Sequence, residues 1–279
     1  MLELTPFVLA VLAIAVIAGL PHGAFDVYIA QRLGQWKTPF QLAIWLLRYV
    51  LISALVIVFW LFTPIVGLAI FLLISALHFG RDQYSQSYLF ATSMGLVILG
   101  LPMLFHGAEV ALIFSYLLLT ESQSQLLVQL FALLAIIGFL VIILGLSWQR
   151  FMLNHESSAS QYFAVLPSLP IANFCGFVAA LAIGSYALHP LLYFALFFAL
   201  SHSPIHVRTQ WAQLNQLQRK SAIAVLCLLT VIPVALAAVF GAMMTVTWSE
   251  RIVALVFIGL AALTLPHVWL LEQQFRAAK

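Results

Sequence analysis

The first feature of the sequence that could do chemistry is a pair of histidines in the stretch His202-Ser-Pro-Ile-His206. Residues four apart share one face of a helix with Cβ atoms about 5 to 6 Å apart, so two such imidazoles can bind one metal ion. Pro204 between them should kink the helix and free the carbonyl of Leu200. The alternative is a pair of interfacial histidines at the end of a helix.

Two further histidines are each followed four residues later by an aspartate. His22 precedes Asp26 in this way, and His78 precedes Asp82. On a helical turn each carboxylate could hold the N–H of its own or a neighbouring imidazole, which fixes the tautomer and raises the basicity of a metal ligand. The alternative is helix-end capping, with a local ion pair between Asp82 and Arg81.

The other four histidines differ in their surroundings. His267 follows the stretch Thr-Leu-Pro266 near the end of the chain, where it could be a ligand, a residue that orients a ligand, or a packing residue. His106, His155 and His189 fall in predicted loops, where a solvated or interfacial histidine is expected.

The composition predicts the elements that must position these side chains. Hydrophobic residues make up 65% of the chain and charged residues only 7%, whereas soluble domains carry about 25% charged residues. We therefore predict an all-α polytopic transmembrane bundle, with residues 1–279 forming a single integral-membrane domain in a lipid bilayer. The net charge of +3 is scattered and forms no basic run, which argues against nucleic-acid binding.

Runs of about 20 apolar residues, the length needed to cross a bilayer, predict nine spans and one half-helix. The half-helix lies at 107–120 and is predicted to be re-entrant or interfacial because it is short. The predicted span cores are 4–20, 40–62, 64–80, 87–105, 125–148, 168–188, 190–206, 221–244 and 251–271.

Orientation follows from the basic residues, since cytoplasmic connections carry the excess of Lys and Arg. Nine spans with the N-terminus outside leave only Arg251 on the outer side. The basic residues then at or near the inner face are Arg32, Lys37, Arg48, Arg81, Arg150, Arg208, Arg219, Lys220, Arg276 and Lys279. This predicts a cytoplasmic-membrane protein with its C-terminus inside.

The same topology brings five histidines to one depth, although no histidine was used to derive it. His22, His78, His202, His206 and His267 all fall at or near inner ends of spans.

Nitrogen-only ligands favour a transition metal over magnesium or calcium. A closed four-histidine zinc site would be structural, and a bundle this apolar hardly needs one. Ferrous iron with open positions for dioxygen instead predicts an oxygenase for a lipophilic substrate, near the cytoplasmic face.

The motifs around these histidines resemble those of the Brp/Blh family of bacterial and archaeal membrane β-carotene 15,15'-dioxygenases. They are Gly19-Leu-Pro-His22-Gly with Asp26, Leu77-His78-Phe-Gly with Asp82, the stretch Ser201-His202-Ser-Pro-Ile-His206, and Thr264-Leu-Pro-His267. The resemblance implies cleavage of the central double bond of β-carotene by dioxygen into two molecules of retinal. It places the Fe(II) ligands on His22, His78, His202 and His206. Asp26 and Asp82 would orient these ligands, and His267 would lie close by.

Two other functions remain open at this point. A membrane desaturase or hydroxylase would also combine iron, oxygen and a lipid, but it usually carries adjacent paired histidines, and this sequence has no His-His. A transition-metal transporter would line a pathway across the membrane with the same residue types. Only His106 and His189 are predicted near the outer face, which argues against such a pathway.

Overall fold

The computed structural model describes residues 5–81, 87–153 and 171–277, and within these ranges the regular structure is helical, with no β-strand. This confirms the prediction of an all-α fold. Asp82 and His155, which the sequence singled out, lie outside the described residues.

Thirteen α-helices and one π-helical turn make up the described part of the chain. They are α1 (Pro6–Gly19), α2 (Pro21–Ala24), α3 (Asp26–Arg32), α4 (Pro39–Phe62), α5 (Pro64–Arg81), α6 (Tyr88–Phe105), α7 (Gly107–Ser115), α8 (Glu121–Leu153), α9 (Ile171–Ala187), α10 (Pro190–Leu196), the π-helical turn (Phe197–His202), α11 (Ser203–Ala212), α12 (Gln216–Met243) and α13 (Trp248–Ala277).

Eight stretches of the described chain are helical, long and apolar enough to cross a membrane, and each overlaps one of the predicted spans. They are Pro6–Arg32, Pro39–Phe62, Pro64–Arg81, Tyr88–Phe105, Glu121–Trp148, Pro190–Ala212, Gln216–Met243 and Trp248–Ala277. The ninth predicted span, 168–188, falls on α9, an apolar helix of 17 residues. The predicted half-helix at 107–120 contains α7, which has nine residues, too few to cross a bilayer.

Helix starts follow local sequence signals. Thr38 caps α4 by a capping box with Gln41, and Pro39 stands at the first helical position, where its missing N–H leaves no bond unmade. Asn215 and Gln218 form the same reciprocal cap at the start of α12.

Helix packing divides the chain into two compact units. The first comprises Met1–Phe71, Ile113–Leu119 and Phe194–Lys279, and the second comprises Leu72–Leu112 and Thr120–Tyr193. In the first unit α13 packs against α4 and α1, while α2 packs against α11 and α12. In the second unit α6 packs against α8 and α9. The assignment of 1–279 to a single domain stays a prediction.

Glycines allow the helices of the second unit to approach closely. A Cβ at Gly80 would overlap the backbone carbonyl of Ala91, and a Cβ at Gly95 would overlap that of Ala76. Because both obstacles are backbone atoms, neither position has room for a side chain unless the helices separate. The stretch Leu77-His78-Phe-Gly80 therefore contains a packing glycine two residues after its histidine.

Candidate metal centre

His22 is held by the carbonyl that ends the first helix. Its Nδ1 donates to the carbonyl oxygen of Gly19 at 2.6 Å, and the side chain is buried. Because a carbonyl only accepts hydrogen bonds, Nδ1 carries the proton and Nε2 carries the lone pair. Pro21 begins the four-residue helix α2 that contains His22, so the turn and the hydrogen bond together set the direction of the ring.

His202 and His206 lie on either side of Pro204, where a kink is predicted. The chain widens into the π-helical turn that ends at His202, and α11 then begins at Ser203. The helix thus changes type next to Pro204, while the predicted kink itself stays a prediction. The hydroxyl of Ser203 donates to the same Gly19 carbonyl that holds His22, at 3.1 Å, which links the π-helical turn to the end of α1.

His267 reaches the same place from α13. Its Nδ1 lies 2.7 Å from Oδ1 of Asp26, and both side chains are 4% exposed. The hydroxyl of Tyr49 donates to the other carboxylate oxygen of Asp26 at 2.9 Å. Asp26 therefore holds a neighbouring imidazole rather than that of His22, which is one of the two possibilities raised by the sequence.

Four imidazoles of the first unit form one buried cluster. The ring centroid of His22 lies 5.0 Å from that of His202, 5.5 Å from that of His206 and 5.3 Å from that of His267. The rings of His206 and His267 are 5.2 Å apart. One ring nitrogen of His22 and one of His267 lie within 4.8 Å of each other. All four side chains are between 1% and 8% exposed.

This cluster fits a transition-metal ion. Imidazole nitrogen binds such ions at about 2.1 Å, which places two ring centroids roughly 4.5 to 5.5 Å apart for ligand angles of about 90° to 120°. The measured centroid distances lie within that interval. Nε2 of His206 is buried and has no hydrogen-bond partner among the described residues, and a buried ring nitrogen of this kind needs a hydrogen-bond partner or a metal. The donors are all nitrogen, as the sequence predicted.

His78 belongs to the second unit. It lies near the end of α5 and is 7% exposed, so it is buried as a ligand would be. Its role as a fourth ligand stays a prediction, as does the role of Asp82, which lies outside the described residues.

A row of aromatic rings adjoins the histidine cluster in the first unit. The ring of Phe198 lies 5.4 Å from that of His22 and 5.7 Å from that of His202. Phe194 stacks on Phe198 at 5.7 Å, and Phe257 follows at 5.2 Å from Phe194. A Cβ at Gly19 would overlap the ring of Phe198.

Sequence reasoning singled out none of these three phenylalanines, and it named Gly19 only as part of a motif. Phenylalanines are abundant in membrane helices, and the position of Gly19 within a matching motif was the only available signal.

The histidines predicted to have no direct role lie in the second unit where the structure describes them. Nε2 of His106 donates to the carbonyl of Tyr186 at 3.1 Å. Nδ1 of His189 accepts from the backbone N–H of Leu191 at 3.2 Å, at the start of α10. Burial lowers the pKa of His189, His106 lowers it further, and Glu109 acts in the opposite direction.

Comparison with known proteins decides the family. The family described as "Beta-carotene 15,15'-dioxygenase" matches residues 13–273. This chain belongs to that family. A protein of the same description from the uncultured marine bacterium 66A03 is 31% identical over 280 aligned positions, which cover 95% of this chain and 93% of that protein.

No solved structure matches the chain. In this β-carotene 15,15'-dioxygenase family member, the matched region includes every histidine of the buried cluster. The resemblance stated from the motifs is thereby confirmed.

Proposed function

We propose that this protein cleaves the central 15,15' double bond of β-carotene with dioxygen and releases two molecules of retinal. One carbon–carbon double bond is broken and two aldehyde carbonyls form, so both oxygen atoms of one dioxygen are accounted for. The observation that carries the proposal is the buried cluster of His22, His202, His206 and His267, in a chain that belongs to the β-carotene 15,15'-dioxygenase family.

The proposed cofactor is ferrous iron, held by His22, His202 and His206 with His78 as the further ligand carried over from the motif pattern. A bound ferrous ion supplies the redox chemistry that activates dioxygen. The chain orients its ligands through bonds made at the other ring nitrogen, as the carbonyl of Gly19 does for His22. Such partners typically change metal affinity or activity by about 10 to 100-fold when they are removed.

The surroundings of the cluster suit an apolar substrate. Phe198 contacts two of the histidine rings, and Phe194 and Phe257 extend the aromatic surface away from them. We propose that this row forms part of the wall along which the polyene lies. Aromatic faces attract polyenes by dispersion and exclude water.

We also propose that the protein lies in the cytoplasmic membrane, with its N-terminus outside and the metal site near the cytoplasmic face. The excess of basic residues predicted on one side supports this orientation. A lipid-dissolved carotenoid could then reach the site without leaving the bilayer.

The proposal is tested with the protein purified in detergent and loaded with Fe(II) under anaerobic conditions. After addition of β-carotene and oxygen, chromatography should show retinal at about two molecules per β-carotene consumed. His206→Ala, which lacks one ligand, should produce none. Iron-loaded wild type that leaves β-carotene intact would instead indicate an oxygenase for a different lipid, such as a desaturase or hydroxylase.

A further inference from the structure

A chain of buried hydrogen bonds joins three helices beside the histidine cluster. Tyr49 of α4 donates its hydroxyl proton to Oδ2 of Asp26, the first residue of α3, at 2.9 Å. Oδ1 of Asp26 lies 2.7 Å from Nδ1 of His267 on α13. Each carboxylate oxygen therefore has one partner, and the partners come from different helices.

Burying the Asp26 carboxylate costs free energy, because Asp26 lies in a stretch of helices long and apolar enough to cross a membrane. A buried carboxylate is tolerated when its oxygens are fully hydrogen-bonded, and in membrane segments such residues are usually functional. Both hydrogen bonds of Asp26 stabilise its charge, but only the bond to His267 joins it to the histidine cluster.

We infer that His267 binds the metal ion directly through Nε2, and that Asp26 and Tyr49 are positioning residues for it. The inference rests on the proposed function in that it requires a metal in the cluster. A carboxylate that accepts from Nδ1 leaves the lone pair of His267 on Nε2. The ring lies 5.3 Å from that of His22 and 5.2 Å from that of His206, as two ligands of one ion would.

A role for His267 in orienting other ligands is less consistent with the contacts. The Nδ1 proton of His22 already goes to the Gly19 carbonyl, so His22 needs no second partner at that nitrogen. Nδ1 of His267 is committed to Asp26 in the same way. The two imidazoles therefore have equivalent arrangements, each with Nδ1 held by an oxygen of the chain and the lone pair on Nε2.

Tyr49 also ties this arrangement to the helix that carries His267. Its oxygen lies 3.3 Å from the carbonyl of Leu263, which is four residues before His267 on α13. Removing the hydroxyl would leave Oδ2 of Asp26 without this donor and loosen α4 from α13 at that point. Tyr28 offers a matched control, because its hydroxyl is buried in the same unit and has no hydrogen-bond partner among the described residues.

The test is a titration of the purified apoprotein with Co(II), a spectroscopically visible substitute for iron. Binding is monitored by the visible ligand-field bands of Co(II) and by metal analysis. Wild type is compared with His267→Ala, Asp26→Asn, Tyr49→Phe and Tyr28→Phe. Loss of one nitrogen ligand in His267→Ala should shift the bands and weaken binding by more than the roughly 10 to 100-fold expected for Asp26→Asn. Tyr49→Phe should weaken it by about tenfold, while Tyr28→Phe should match wild type.

Wild-type bands and wild-type affinity in His267→Ala would overturn the assignment of His267 as a ligand. If His267→Ala does not fold, the Co(II) affinity of Tyr49→Phe tests the proposal instead, because that substitution removes a single oxygen atom. Binding by Tyr49→Phe identical to that of Tyr28→Phe would overturn the positioning role. Failure of the proposed reaction is distinct, since it would appear in the wild type as metal bound without retinal formed.

Discussion

Two of the buried imidazoles give their Nδ1 proton to an oxygen of the chain, and these oxygens decide which nitrogen carries the lone pair. For His22 the oxygen is the Gly19 carbonyl, and for His267 it is Asp26. Both rings therefore carry the lone pair on Nε2, the same atom that lacks a hydrogen-bond partner among the described residues in His206. At the scale of single residues, the cluster is organised by hydrogen bonds made on its outer side.

His78 provides a prediction at this scale. If it is an iron ligand as the motif pattern implies, then His78→Ala should be purified with most of its iron lost. Iron per protein, measured by mass spectrometry, checks this, with His106→Ala as the control because His106 hydrogen-bonds to Tyr186 in the second unit. Full iron content and full turnover in His78→Ala would remove this residue from the ligand set.

The residues of the cluster were predictable to different degrees. The spacing of His202 and His206 and the common depth of His22 and His267 were sufficient to bring these four together. Tyr49 and the carbonyl of Gly19 were not predictable as partners. A backbone carbonyl has no signature in the side-chain sequence, and a tyrosine in an apolar helix is typical of a membrane interface.

At the scale of elements, the π-helical turn before Pro204 is where the helix that carries His202 and His206 departs from regular α geometry. Proline at 204 removes a backbone donor, and the helix accommodates this by forming a wider turn in which the N–H of Ser203 bonds to the carbonyl of Phe198. The sequence predicted a kink at this residue. It did not predict the π-helical turn, because a proline alone does not specify how the neighbouring turn adjusts.

Gly80 provides a prediction about helix packing. Gly80→Ala places a methyl group against the backbone carbonyl of Ala91, and overpacking of this kind typically costs about 1 to 3 kcal/mol. The apparent melting temperature in detergent should fall. Gly176→Ala is the matched control, since its Cβ would meet nothing within 4 Å. Equal melting temperatures for the two variants would contradict the close approach of α5 and α6.

The start of α10 provides a prediction about pH. Burial lowers the pKa of His189 below its ordinary value of 6.5, so the folded protein favours the neutral ring. The stability contribution of the neutral ring is fully present above that ordinary pKa and is lost as pH falls below it. Protonation at Nδ1 would also remove the acceptor for the N–H of Leu191.

Thermal stability measured between about pH 5 and 8 should therefore fall on the acid side in the wild type. His189→Asn keeps a capping oxygen without a titrating ring and should show a smaller fall. His106 and Glu109, which act on the pKa of His189, are unchanged in both proteins. The same acid sensitivity in His189→Asn and wild type would exclude His189 as its source.

At the scale of the whole molecule, the lengths of the apolar runs in the sequence predicted the membrane helices well. Eight of the nine predicted spans correspond to helices long and apolar enough to cross. These signals are strong because a helix must satisfy its backbone hydrogen bonds in lipid. The remaining span falls on α9, where the helix has 17 residues, so length alone is a weaker guide there.

The orientation provides a prediction at this scale. A fluorescent protein fused after Lys279 should fluoresce, because the basic residues place that end in the cytoplasm. Alkaline phosphatase, which is active only outside the cytoplasm, should be active when fused after Val246, in the connection between α12 and α13. The reverse pattern of reporter activity would invert the proposed topology.

The most direct test of the central claim uses cells that accumulate β-carotene and express either the wild type or His202→Ala. We expect the wild type to bleach the pigment and form retinal, and His202→Ala to leave β-carotene intact although the protein is present in the membrane. Retinal formation by both proteins would contradict the assignment of the histidine cluster as the site of cleavage. Intact β-carotene in both, with iron present in the purified wild type, would contradict the proposed substrate.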